Sequence, residues 1–225
     1  MKIGFVGDTH GNWLDLYRAM DLLSSVGVER IVQVGDFGFW KQNLRSLKLE
    51  IPVYFIDGNH EEFPLLLDRV SSNRLTPQEV LGNLFYIPRG TVLNWGDTIF
   101  GFLGGGFSVD YKLRKDGVSW FSKEETPKEE EARKLINHQA EFIVTHDAPS
   151  EAVAYMPKPL RHTDTRDTQC RMILQGILNE AKPAHWVHGH YHMRYSTRIQ
   201  DCKIVGLDCA PDIVVFDTNE KRFLY

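Results

Sequence analysis

The chain has 225 residues, of which 42% are hydrophobic, 12% aromatic and 25% charged, a composition that excludes disordered, collagenous and coiled-coil classes. Its length suits a single domain over residues 1–225 with a sizeable core. The formal net charge of −4 argues against a broad electrostatic grip on nucleic acid, which rests on neutralised phosphates; nucleic acid is an allowed partner but not a favoured one.

Lys2–Gly7 reads as a buried strand, and Asn12 caps a segment whose apolar residues Trp13, Leu16, Met20 and Leu23 recur at helical spacing. The alternation continues with strand Arg30–Gly35, a helical stretch near Trp40–Leu49, strand Val53–Asp57 and a helix through Glu62–Val70. Strands alternating with helices predict an α/β sheet with parallel pairs. In the middle, Leu84–Ile87, Thr91–Trp95 and Thr98–Leu103 are short β-like runs broken by Pro88, Gly90 and Gly96, which reads as antiparallel sheet. An irregular stretch follows through Trp120, then a helix over Lys123–Asn137 whose glutamates Glu124, Glu125, Glu129, Glu130 and Glu131 read as a solvated face. Phe142–Thr145 is another buried strand, Pro149–Arg166 a long connection, and Arg171–Ala181 a helix. The β runs Trp186–His188, Arg194–Ile199, Lys203–Gly206 and Ile213–Asp217 close the chain, with Thr218–Lys221 as the turn of a final hairpin.

The apolar stretch Ile3–Gly7 is too short for the core of a signal peptide, and no run of about 18 apolar residues offers a membrane span. Three cysteines, Cys170, Cys202 and Cys209, form neither a disulfide framework nor a CxxC pair. A soluble cytoplasmic protein with reduced thiols and no membrane partner is expected.

Five polar groups fall at or just past strand ends, where open α/β sheets place ligand sites. They are Asp8-Thr9-His10, Gly35-Asp36, Gly58-Asn59-His60-Glu61, Thr145-His146 and Gly189-His190-Tyr191-His192. Side chains two apart in extended chain share a side, so Asp8 with His10, and His190 with His192, can each converge. Taken singly, Asp8 could cap a turn, His146 could be a satisfied core histidine and Gly58-Asn59 an ordinary turn. The whole series in this order is hard to obtain by chance. His138, His162 and His185 lack such partners and read as surface or helix-end residues, and His188 as structural.

This series resembles the calcineurin-like metallophosphoesterase superfamily over Asp8 to His192, and Leu103–Gly106 with Ser108, Asp110 and Trp120 resembles a loop of its bacterial and phage members. The resemblance implies two mixed β-sheets packed as a sandwich and flanked by helices. It also implies that Asp8, His10, Asp36 and His192 hold one metal, that Asp36, Asn59, His146 and His190 hold the other, and that Asn59 and His60 meet the substrate phosphate while His60 assists the leaving group. The family often carries a second aspartate where this chain has Phe39, so the partner of His60 is open among Asp57, Glu61 and Asp110.

Two divalent ions against the carboxylates of Asp8 and Asp36 leave a site near +2, attractive to phosphate, and a metal pair lowers the pKa of a shared water towards an attacking hydroxide. Four histidines among seven proposed ligands, with no thiolate, favour Mn or Fe, with Zn, Co or Ni also suited, over Mg²⁺ or Ca²⁺. Arg114 is a candidate substrate contact because arginine forks suit phosphate oxygens; a solvated arginine is the plainer alternative. Lys158, Arg161 and Arg166 divide between ligand contact and ordinary surface, and Phe37, Phe39 and Trp40 between core packing and the floor of a base pocket. The leading expectation is hydrolysis of small phosphodiesters, nucleotide-type or activated, with some monoester cleavage. A serine/threonine-type phosphoprotein phosphatase is the closest rival, a nuclease is less favoured, and a non-catalytic scaffold of the same fold is the alternative outside enzymology.

Overall fold

The computed structural model describes residues 1–71, 75–160 and 164–224. In chain order the described elements are β1 (Lys2–Val6), α1 (Trp13–Ser25), β2 (Arg30–Gln33), α2 (Lys41–Leu44), β3 (Val53–Phe55), α3 (Phe63–Asp68), β4 (Gln78–Leu81), β5 (Leu84–Tyr86), β6 (Thr91–Trp95), β7 (Thr98–Leu103), α4 (Glu129–Asn137), β8 (Phe142–Thr145), α5 (Thr165–Ala181), β9 (His185–His188), β10 (Tyr195–Ile199), β11 (Cys202–Gly206), β12 (Ile213–Asp217) and β13 (Arg222–Phe223).

The strands build two mixed sheets, one in the order β13-β12-β1-β2-β3-β5-β4 and one in the order β10-β11-β9-β8-β7-β6. In the first, β1, β2, β3 and β5 run parallel, with β12 and β4 antiparallel to their neighbours. In the second, β7, β8, β9 and β11 run parallel, with β6 and β10 antiparallel at the edges. Between the sheets lies a core of Ile3, Phe5 and Val32 from one side and Phe100, Phe142 and Val187 from the other. α1 covers the outer face of the first sheet through Leu16, Ala19 and Leu23, and α4 and α5 cover the second through Leu135, Leu174 and Ile177. This is the flanked sandwich expected from the sequence.

Several elements differ from the sequence expectations, each for a local reason. The helix expected over Trp40–Leu49 shrinks to the four residues of α2, whose N-cap Trp40 makes no side-chain cap bond; past Leu44 the Ser46 and Leu47 amides turn to the Asn43 and Leu44 carbonyls, each at 3.3 Å, and the Lys48 amide to the Tyr17 hydroxyl at 3.0 Å. The helix expected from Lys123 begins at Glu129, after Pro127, and there the Lys128 amide donates to Glu131 Oε2 at 2.8 Å. Glu125 is no part of a solvated face, being 1% exposed. α5 starts six residues before Arg171 because Asp164 accepts from the Arg166 amide at 2.9 Å. The middle is not wholly antiparallel, since β5 joins β3 in parallel and only the pairs β4/β5 and β6/β7 are antiparallel. His162 and Arg161 lie outside the described residues. No helix among the described residues is long and apolar enough to cross a membrane, and Cys170, Cys202 and Cys209 are all free.

Candidate metal centre

Each polar group of the sequence series sits where a parallel strand ends. Asp8 and His10 follow β1, Asp36 follows β2, Asn59 and His60 follow β3, His146 follows β8, and His190 and His192 follow β9. The first sheet therefore supplies the carboxylates, and the second supplies three of the imidazoles. Two glycines permit the approach: a Cβ at Gly58 would overlap Asp36 Oδ1, and one at Gly189 would overlap Asp8 Oδ1.

Two donor groups share Asp36. In the first, His10 Nε2 and His192 Nε2 are 3.0 Å apart, His192 Nε2 is 3.1 Å from Asp8 Oδ2, and His10 Nε2 is 3.7 Å from Asp36 Oδ2. In the second, His146 Nε2 lies 3.4 Å from Asp36 Oδ1 and 3.0 Å from Asn59 Oδ1. The His190 ring packs edge-on against His146, with centroids 4.9 Å apart. All seven proposed ligands thus lie together, His190 by ring contact with its neighbour.

The donor chemistry fits a cation. His146 Nδ1 donates to the Val34 carbonyl at 3.0 Å, which leaves Nε2 as a lone pair facing two oxygens. Asn59 Nδ2 donates to Ser108 Oγ at 3.0 Å, so its oxygen, not its amide hydrogens, is turned towards His146. Three electron-rich atoms meeting in this way are reconciled by a metal or by a second proton on His146, and an outer hydrogen bond that fixes the tautomer is the usual device of a ligating histidine. The titration behaviour agrees. Burial pushes the His146 imidazolium down, but the Asp36 and Asp8 carboxylates outweigh it and raise its pKa to about 10. Burial likewise works against the Asp36 carboxylate, yet His146, His60 and His10 hold it well below the usual range. Burial and the His146 charge push His190 down to about 3. Hydrogen bonding to Asp8 and to Cys209 lifts His192 to about 10.

His60 stands beside these groups, its ring edge-on to His10 at 5.3 Å. Its backbone amide donates to Asp36 Oδ1 at 2.8 Å. Both ring nitrogens face Arg114 Nη2, with Nε2 at 2.6 Å, and Arg114 Nε donates to Asp110 Oδ2 at 2.7 Å. Burial lowers the His60 pKa, helped by the Arg114 charge and opposed by Asp36. Of the three candidate partners for His60, Asp110 is the one that reaches it, through Arg114. Asp57 is occupied by Arg89 and the Tyr86 hydroxyl. Glu61 accepts from the backbone amides of Phe37, Gly38 and Phe39 at 2.7, 3.1 and 2.6 Å, stapling the Asp36 loop in place. Phe37 and Phe39 are fully buried against Phe55, so they are core. Trp40 instead borders a cleft of about 370 Å³ together with His10, Gln42, Asn43, His60 and Ser119. Clefts of about 530 and 560 Å³ elsewhere contain no histidine, and the smaller cleft is the one with chemistry on its wall.

Other expected residues fall outside this group. His138 ends α4 in solvent, His185 opens β9, and buried His188 meets the Tyr195 hydroxyl at 2.7 Å. The Arg166 guanidinium stacks over Phe107 and Tyr111 at 4.6 and 4.3 Å from their centroids. The sequence reading missed Cys209, whose sulfur is grouped with nitrogens of His10 and His192; it lies far along the chain in no motif.

The lariat debranching enzyme of Schizosaccharomyces pombe is 27% identical over 241 residues, covering 87% of this chain and 49% of that protein; the chain thus spans about half the length of this curated relative. A solved archaeal phosphodiesterase superposes with a TM-score of 0.50 at 15% identity, covering 100% of this chain and 98% of that one. A solved phosphatase from Mycoplasma pneumoniae gives a TM-score of 0.50 at 11% identity, covering 100% and 91%. At such identities the structures speak for the fold alone. The family model described as calcineurin-like phosphoesterase matches residues 1–194, a span that holds every side chain of the two donor groups, and the chain belongs to that family.

Proposed function

We propose that this chain is a divalent-metal-dependent phosphoric ester hydrolase that cleaves small phosphodiesters, nucleotide-type ones included, as a single domain in a reducing cytoplasmic setting. The observation that carries the reading is the meeting of oxygen and nitrogen donors of six side chains from both sheets, with the His190 ring packed against His146, beside the His60–Arg114 pair. Asp8, His10, Asp36 and His192 would hold one ion, and Asp36, Asn59, His146 and His190 the other. The set accommodates manganese, iron, zinc, cobalt or nickel, among which availability chooses, with manganese or iron the proposed occupants. Bound there, the ions would supply Lewis-acid polarisation and lower the pKa of water.

The chain's own groups do the rest. Arg114, aimed by Asp110, would neutralise a phosphoryl oxygen, and the Asn59 side chain would orient the ester at the cleft. As water adds to phosphorus and the bond to the leaving alkoxide breaks, the water would give up its proton to solvent and His60 would pass a ring N–H proton to the alkoxide, a role typically worth about 10²–10⁴ in rate. The cleft wall formed by Trp40 suits a planar leaving group of nucleoside size, which favours a diester over a phosphoprotein.

The test is turnover of bis(p-nitrophenyl) phosphate, p-nitrophenyl phosphate and a phosphoserine peptide with added Mn²⁺, before and after chelation. Diester cleavage that disappears with chelator and returns with metal is expected. Preference for the peptide would point to the protein phosphatase, and no turnover of any ester would point to the scaffold.

A further inference from the structure

The loop between β11 and β12 carries Cys209 to the rim of the first donor group. Its Sγ and one ring nitrogen each of His10 and His192 lie within 4.8 Å of one another. This is no accident of a loose segment. The Ala210 amide donates to the Asp8 carbonyl at 2.8 Å and the Gly7 amide to the Asp212 carbonyl at 3.0 Å. From the other side, Arg194 Nη1 meets Asp212 Oδ1 at 2.9 Å, and the Leu207 amide donates to the His188 carbonyl at 2.9 Å. The segments that fix Asp8 and His192 therefore also fix the cysteine. Cys170 and Cys202 are buried away from the donor groups, whereas Cys209 is half-buried beside the first of them.

We propose that Cys209 is a further metal ligand of this chain, its thiolate joining His10 and His192 at the ion they share with Asp8 and Asp36. The inference rests on the metal-dependent reading above. A sulfur donor changes which ion the position prefers, because thiolates favour zinc, iron and cobalt over the harder manganese and magnesium. The consequence is an asymmetric pair, in which the position near Cys209 holds the softer ion and the one near Asn59 the harder.

The experiment is anaerobic titration of the wild type and Cys209→Ser with Co²⁺, followed by absorption. Visible cobalt bands report occupancy of the imidazole–carboxylate set, and a near-ultraviolet sulfur-to-cobalt band reports the thiolate. The wild type is expected to show both, and Cys209→Ser to keep the visible bands and lose the near-ultraviolet one. Competition between Zn²⁺ and Mn²⁺ should shift about 10–100-fold towards Mn²⁺ in the variant, the scale on which a change beside a ligand moves metal affinity. In the unmutated protein, Cys209 should react with a thiol reagent under native conditions and be shielded by Zn²⁺, which keeps the test independent of how the variant folds. Cobalt bound without a sulfur band, or a thiol unshielded by Zn²⁺, would overturn the role of Cys209 while leaving the metal centre standing. Failure of the wild type to bind cobalt would overturn the metal-dependent reading and this inference together.

Discussion

At His60 the unusual neighbour is a guanidinium. Arg114 donates to the ring, and Asp110 fixes Arg114 from four residues away, so positive charge is held against His60, where the proposed reaction would place a phosphoryl oxygen. A charge-assisted hydrogen bond contributes about 1.5–3 kcal/mol, and Arg114→Ala should therefore lose roughly 10–100-fold in kcat/KM on bis(p-nitrophenyl) phosphate, with metal content unchanged. Arg114→Lys should recover only part of this, because an ammonium keeps the charge without the fork. Unchanged kinetics in Arg114→Ala would return Arg114 to the role of a structural partner for Asp110. The ligand motifs were legible in the sequence because the family resemblance links strand ends to residue types. The partner of His60 was not, since 54 residues separate it from Arg114 and only the folded loop joins them. Phe39 illustrates the same limit: the sequence shows that an aspartate is missing there, and only packing against Phe55 shows that the side chain points into the core.

Among the elements, fully buried runs such as Phe142–Thr145 announce themselves, because every residue is apolar or neutral and the boundaries are sharp. β4 did not, since of its four residues only Val80 is buried. Apolar spacing and charge predict longer helices at Trp40 and Lys123 than form, because Pro127 delays the second and the Lys48 amide, bonded to the Tyr17 hydroxyl, lies outside the first. β9 opens on His185, which stacks against Phe142 and packs edge-on to Phe216 and Phe223. Burial lowers its pKa from 6.5 to about 4, with Arg198 and Lys221 acting in the same direction and Glu141 against. Between those two values the unfolded chain binds a proton that the folded chain refuses, so this group costs stability as pH falls from 6.5 to 4. His185→Gln should flatten the loss of urea midpoint on acidification through that window. A slope as steep as wild type would remove His185 as a cause.

On the scale of the whole molecule, alternating strands and helices in the first third foretold parallel sheet, and the flanked sandwich followed from the family resemblance. What periodicity could not show is where the chain leaves one sheet for the other. That crossing lies between β5 and β6, and nothing in the Pro88–Gly90 turn distinguishes a change of sheet from an ordinary hairpin. The crossing decides how the donors are shared: Asp8, Asp36 and Asn59 follow strands of one sheet, while His146, His190 and His192 follow strands of the other. With ions bound as proposed, the centre would act as a clasp across the open end of the sandwich, joining residues 87 to 182 positions apart in sequence. Ions that bind only the folded chain should raise its stability, by about 2.7 kcal/mol at a free concentration 100 times the dissociation constant. For a chain of this size that corresponds to a melting temperature higher by roughly 5–10 °C, readable by calorimetry with and without chelator. An unchanged melting temperature despite bound metal would mean that the unfolded chain binds the ions as tightly as the folded one, and that no clasp exists. With the clasp effective, amide hydrogen exchange should slow on both sides of the sandwich at once, at the ends of β1 and β2 as well as β8 and β9, although no single strand touches all the donors.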